Sequence, residues 1–439
     1  MTAAPEGALA PDVQALAGQY PEYVAALSRN RRWNFGLNIL DSGTFALTKA
    51  ALTETTVLPY FISRLTANAL VIGLSPSIAW FGLYMPQLLG AYFVHNLSRR
   101  KPYIIALAWA ERLGILAMLL MALGIGRLPP GWVLAGFLAV YFVYWFISGL
   151  FIPAYADFYS KHIPSGRGRF LGVQALLYGA IGVIGASVVR RLLLAAPFPA
   201  NFVWVLAFAL VAALPAMLAF HNLREVAFPV RRPRQTLAAY FQGTLPLLRG
   251  HPAFARFLAV RAVLVLGKMT VPFLAIYALQ RFHLGAGMVA VYTGLMLGAQ
   301  SVSAPLWGLL CDRRHHQQVW LLAAVVQLLH AGLAWWAPSP GWYLVVFALV
   351  GVTLGAEATA QPITTYLLSP AAETTRFIGL ANTCLGPLLA LAPLAGGALA
   401  NIFSYPVALG ASVGLALLGV GAVVAWMNLA RIPTPAVAA

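Results

Sequence analysis

The chain has 439 residues, of which 61% are hydrophobic and 9% charged, and its net charge is +17. A water-soluble domain spends about 25% of its residues on charge, so the composition excludes a soluble enzyme or a soluble nucleic-acid-binding protein and makes the bilayer the solvent. Two cysteines, Cys311 and Cys384, are too few for a disulfide framework or a cysteine metal centre.

Residues 1–32 lack the apolar run of a signal peptide and read as a disordered or surface-lying cytoplasmic tail ending in Arg29, Arg31 and Arg32. A membrane-crossing helix needs about 20 mostly apolar residues. Twelve such stretches follow, over 34–63, 68–97, 102–125, 131–158, 170–195, 201–222, 254–282, 286–311, 318–337, 341–369, 376–402 and 405–428. The polar segment 223–253, with Arg224, Arg231, Arg232, Arg234 and Arg249, acts as a cytoplasmic linker between a six-helix bundle over 33–222 and another over 254–430. A cytoplasmic tail, 431–439, ends the chain. The fold expected is an all-α integral membrane protein of twelve transmembrane helices in two pseudo-symmetric bundles.

The halving also shows in the letters. After the fourth span, Pro153 leads through Ile163 and Pro164 to Arg169-Phe170-Leu171-Gly172, and after the tenth, Pro362 leads through Ser369 and Pro370 to Arg376-Phe377-Ile378-Gly379. Parallel six-helix repeats build secondary transporters whose binding cavity lies between the halves near the midplane. With the N-terminus inside, nineteen lysines and arginines fall on the cytoplasmic side and five on the other. This asymmetry predicts a multi-pass protein of the inner (plasma) membrane with both termini cytoplasmic.

Between spans 8 and 9, Gly308, Leu310, Asp312 and Arg313 are followed by His315 and His316; between spans 2 and 3, the register from Ala91 puts His95, Asn96 and Ser98 ahead of Arg99 and Arg100. The first set resembles the cytoplasmic signature of the major facilitator superfamily (glycine, any, leucine, any, aspartate, arginine, any, glycine, then basic residues), and the second is a degenerate copy. The resemblance runs over about residues 33–430. It implies alternating access by two rocking bundles and a latch formed by Gly308, Asp312, Arg313, Arg99 and Arg100, with His95 in the place of the first-half acid. It also implies that spans 1 and 7 line the central cavity. Against it stands the plainer reading that most of these cations only anchor the chain on the positive side.

Ionisable groups in hydrocarbon cost about 2.5–3.5 kcal/mol each on insertion scales and usually face a cavity or each other. Here they are Asp41, Lys49 and Glu54 in span 1, Glu111 and Arg112 in span 3, Arg261 and Lys268 in span 7, and Glu357 in span 10. At 100° per residue, Asp41 and Lys49 share a broad face, and Arg261 and Lys268 share one closely. Glu111 and Arg112 are adjacent, so they do not simply face one another. Lys49, Arg261 and Lys268, with Gln361 and Asn382 as hydrogen-bonding partners, are the candidates for holding an anionic solute. Asp41, Glu54 and Glu357 are the candidates for taking and releasing a proton. The alternative is that Lys49 pairs with Asp41 or Glu54 inside the fold and that Arg261 snorkels at the cytoplasmic mouth. His330 reads as a packed or interfacial histidine, and Trp80, Tyr84, Tyr141, Tyr144 and Trp145 as core, with a cavity wall as the other reading.

No phosphate-cradling glycine-rich loop, metal-spaced histidines or nucleophile elbow occurs. No catalytic residue, metal or cofactor is therefore expected, nor any nucleic-acid partner, and the energy source is an ion gradient. The function expected is secondary active transport of a small solute by a monomer, coupled to protons, with an organic anion as the solute. A proton-driven exporter of amphipathic or drug-like compounds is the alternative, and a membrane enzyme or lipid flippase of similar helix count is the second.

Overall fold

A computed structural model describes residue 14 and residues 17–95, 97–162, 167–229, 246–313, 316–369 and 374–427. Eleven helices among these are long and apolar enough to span a membrane. The remaining span is the first, which is rich in Asn, Ser and Thr, carries Asp41 and Lys49, and is broken: helix Pro21–Ala51, a turn over 52–56, then helix Val57–Ser63. The second runs as Ala69–Tyr84 and Gln87–His95, parted at Pro86. Spans 3 to 6 are Lys101–Leu123, Pro130–His162, Arg167–Ala195 and Ala200–Asn222.

After a short helix Pro246–Gly250, the seventh span repeats the design of the first. Helix Pro252–Leu266 stops at Gly267, a turn carries Lys268, a 3-10 turn spans Val271–Phe273, and helix Leu274–Arg281 completes the crossing. Spans 8 to 12 are Gly287–Asp312, His316–Trp336, Gly341–Leu368, Thr374–Ile402 and Tyr405–Trp426. Non-helical backbone at membrane depth is tolerated only where protein or a cavity satisfies it. Here the freed carbonyl of Gly267 accepts from Ser412 Oγ at 2.5 Å, that of Leu264 accepts from Gln327 Nε2 at 2.8 Å, and Thr270 Oγ1 donates to Ser412 at 3.0 Å. In the first half Thr53 Oγ1 donates to the Lys49 carbonyl at 2.8 Å.

The halves meet along two seams, span 2 against span 11 and span 5 against span 8. Both are lined by glycine, which lets the helices approach closely. At the seam of spans 5 and 8 a Cβ at Gly179 would meet the Ser301 side chain, and at the seam of spans 2 and 11 glycines face backbone. A Cβ at Gly397 would stand 2.6 Å from the Ala69 carbonyl oxygen, and one at Gly73 would stand 2.7 Å from that of Pro393. With an even number of crossings, the starts of spans 1 and 7 and the ends of spans 6 and 12 lie on one face of the bundle, and the Gly73 and Gly397 contacts lie towards the opposite face. Thr56 and Thr293 hydroxyls, 2.6 Å apart, tie span 1 to span 8 on that opposite side.

The N-terminal lead-in differs from the tail expected. From Pro21 it is helical and continuous with the first span, because Tyr23, Val24 and Leu27 are buried against Val226 and Phe228 of the segment that follows span 6. That segment is strapped to the first bundle. Glu225 accepts from the backbone N–H of Arg100 at 2.6 Å and of Lys101 at 3.2 Å, closing the open N-terminus of span 3. Lys101 Nζ donates to the carbonyls of His221 and Leu223 at the end of span 6.

Candidate functional site

Span 7 presents Arg261 and Lys268 on one face, and span 10 brings Glu357 between them. Arg261 Nη1 donates to Glu357 Oε1 at 2.8 Å, and Lys268 Nζ pairs with Glu357 Oε2. Arg261 Nη2 donates to Gln361 Oε1 at 2.9 Å, and the guanidinium lies over the Trp320 ring at 4.7 Å. Arg261 is 3% exposed, so it is not a snorkelling anchor at a mouth. Asn382 continues the chain: Gln361 Nε2 reaches it at 3.5 Å, and Asn382 Nδ2 donates to Gln87 Oε1 across the boundary between the halves at 2.8 Å.

These groups line a cavity of about 430 Å³ between the bundles, walled on the first-half side by Trp80, Leu83, Tyr84, Gln87 and Ile152. Thr365 and Ile378, near the ends of spans 10 and 11, place it on the side of the bundle that carries the chain ends. Two bases facing one acid leave the site with one unmatched positive charge. Arg261 Nε, buried and without a hydrogen-bond partner among the described residues, is a spare donor.

Lys49 stands apart from this cluster. Its ammonium pairs with Glu54 and lies 4.8 Å from the centroid of Trp145, and neither Lys49 nor Glu54 lines the cavity. The turn over 52–56 bends the chain back so that Glu54 meets Lys49 within the first half. Asp41 is buried beside Tyr155 and within reach of the charges on Arg112 and Glu111, and it does not meet Lys49. Tyr155 also donates to Asn38 at 3.1 Å. The expectation that adjacent Glu111 and Arg112 do not face one another is corrected: Arg112 Nη1 bends back to Glu111 Oε2 at 3.0 Å. Both also reach neighbouring spans, Glu111 accepting from Ser148 at 2.6 Å and Arg112 Nε donating to the Ala213 carbonyl at 3.3 Å.

Of the latch residues, Arg100 is buried, with its guanidinium 5.4 Å from the Phe228 ring and its Nη1 donating to the Ser98 carbonyl at 3.2 Å. Arg99 and Arg313 are exposed, and Gly308 faces Thr359 within its own bundle. The side chains of Asp312 and His95 lie outside the described residues. Among the aromatics, Trp80 and Tyr84 are cavity wall, whereas Tyr141, Tyr144 and Trp145 are buried in the first-half core.

A cavity between two bundles related by repeat, with paired charges beside a broken helix, is the arrangement of a membrane transporter. The family model of the Major Facilitator Superfamily matches residues 42–389 and 267–438. The chain belongs to that superfamily of transporters. No curated protein matches it. Its fold is similar to that of the nucleoside transporter NupG (TM-score 0.70, 13% identity, covering 90% of this chain and 100% of that one). It is also similar to a D-xylose–proton symporter (0.66, 14% identity, 92% and 100%) and to a POT-family transporter in complex with a thioalcohol-conjugated peptide (0.69, 12% identity, 89% and 94%).

Proposed function

We propose that the protein is a proton-linked secondary carrier of a small organic monoanion. The observation that supports this reading is the placing of Glu357 between Arg261 and Lys268 in the cavity that separates the halves. A buried charge without a partner is costly, so a cavity whose bases outnumber its acid favours an anionic solute, and a monoanion that enters with one proton leaves the charge of the site unchanged. The anion and the Glu357 carboxylate compete for the Lys268 ammonium. Anion binding and protonation of Glu357 therefore favour one another, and by linkage the coupling is reciprocal. Protonation of Glu357 frees Lys268 for the solute, so binding tightens as the pH falls. A fold neighbour named as a proton symporter is consistent with such coupling. An exporter of amphipathic cations would need a carboxylate free to face its cargo, and Glu357 is committed to two bases.

In this reading Gln361 and Asn382 orient the solute, and Lys49, Glu54 and Asp41 hold the first bundle together. The excess of lysine and arginine on the side of the chain ends supports cytoplasmic termini, in a carrier read as a plasma-membrane monomer. Proteoliposomes with an imposed acid-outside gradient test the function against a panel of organic anions, sugars and nucleosides. Anion-dependent proton uptake is expected, abolished in Lys268→Ala. In Glu357→Gln, anion exchange continues while accumulation driven by the pH gradient is lost. Full gradient-driven uptake in both variants, or no anion that moves protons, would end this reading.

A further inference from the structure

Behind Lys268, on the side away from the end-bearing face, lies a second and smaller space of about 50 Å³, bounded by Lys268, His330, Thr55, Thr353 and Trp80. It adjoins the main cavity, because Lys268, Trp80, Leu354 and Leu389 belong to both walls. His330, projecting from span 9, is 2% exposed, and neither of its ring nitrogens has a hydrogen-bond partner among the described residues. Leaving a buried polar group unpaired costs about 1–3 kcal/mol, and one turn earlier on the same helix Gln327 Nε2 donates to the Leu264 carbonyl. Simple packing would be served better by an apolar residue at 330.

The donors available are specific. The Lys268 ammonium has three N–H groups and uses one on Glu357, and a neutral imidazole offers one donor and one acceptor. The Thr353 hydroxyl is spent on the Leu349 carbonyl and that of Thr55 points to the Met296 sulfur, so both threonines can only accept. A water needs about 10–15 Å³ of such space, so the recess takes a planar group of three or four heavy atoms. A tetrahedral sulfate or phosphate has more oxygens than these donors can satisfy.

We propose that this recess seats the charged end of the solute: a monocarboxylate whose carboxylate lies between the Lys268 ammonium and a His330 ring N–H. The acceptor nitrogen of the imidazole then takes a hydrogen bond from a water or hydroxyl that enters with it. The apolar body of the solute lies in the larger cavity against Trp80, Leu83 and Tyr84. The inference rests on the anion reading above and narrows it to a chemical class, aliphatic or aromatic monocarboxylates with one end free of bulky substitution.

The test uses octanoate, benzoate and phenylacetate, their primary amides, and sulfate, against purified wild-type protein and the variants Lys268→Ala, His330→Phe and Thr353→Leu, the last two at residues that line the recess. Carboxylates are expected to bind and amides and sulfate not. His330→Phe should weaken carboxylate binding by about ten- to hundredfold, the loss expected for one hydrogen bond to a charged group, and Thr353→Leu should weaken it by occupying the space the carboxylate takes. In the unaltered protein, octanoate should slow carbethoxylation at His330, read by peptide mass, and this measurement stands if a variant does not fold. Wild-type affinity in both recess variants with loss in Lys268→Ala, or absence of His330 protection, overturns the recess and leaves the anion reading in place. Binding of sulfate but of no monocarboxylate overturns both the recess and the organic-monoanion reading. Unchanged binding in Lys268→Ala as well overturns both.

Discussion

At residue 357 a single carboxylate neutralises two cations, and each of the three side chains depends on the other two. Removing one member of a buried pair leaves the partner uncompensated, at a cost of about 3–5 kcal/mol. Glu357→Gln is therefore expected to melt several degrees below wild type in anion-free buffer and to recover part of that loss when a bound monoanion pairs with Lys268; thermal shift with and without ligand reads both. An equal melting deficit at saturating anion would mean that the cations are not exposed to the solute. Part of this site was legible in the letters. Arg261 and Lys268 are seven apart and so share a face, and Glu357 sits among small residues ahead of Pro362 where a charge has little reason to be. His330 was not legible, because a lone histidine in an apolar helix looks like packing until the emptiness beside its ring is visible, and that space is formed by six different spans. The pairing of Lys49 with Glu54 was left open by the spacing, since it depends on where the helix breaks.

Those breaks are the distinguishing feature at the scale of elements. Hydropathy sees spans 1 and 7 as continuous, yet both interrupt their hydrogen-bond ladder at the depth where their charges sit. The signals are present in retrospect. The run Thr53-Glu54-Thr55-Thr56 is polar and β-branched at midspan, and Gly267 precedes Pro272 by a few residues. What the sequence does not carry is the set of partners that satisfies the freed carbonyls, Gln327 from span 9 and Ser412 from span 12, because these come from the tertiary arrangement. Close approach of spans 2 and 11 is the other element-level device. Gly397→Val places branched carbons where the Ala69 carbonyl oxygen already stands, so the seam must open. Solute uptake is expected to fall by more than about tenfold with folding retained, and cysteine pairs across the seam should lose their crosslinking. Normal crosslinking and transport would show that the seam yields without cost.

For the molecule as a whole, the count of twelve crossings and the division into halves follow from apolar length, the basic midpoint and the repeated arginine tetrapeptide, whereas the cavity follows from none of these. Two apolar bundles have no hydrophobic reason to leave space between them in lipid, and the space exists because charged and hydrogen-bonding side chains from spans 2, 7, 10 and 11 are arranged around it. Sharing of Glu357 by two bases also governs how such a carrier would respond to the cell's electrical state. When a monoanion and a proton enter together, the charge inside the cavity is the same in the loaded protein as in the empty one. Neither leg of the cycle then feels the membrane potential more than the other, and the driving force is the pH difference alone, about 1.4 kcal/mol for each unit. Clamping the potential with potassium and valinomycin should leave the accumulation ratio untouched, and each unit of pH gradient should set a ceiling of about tenfold concentration.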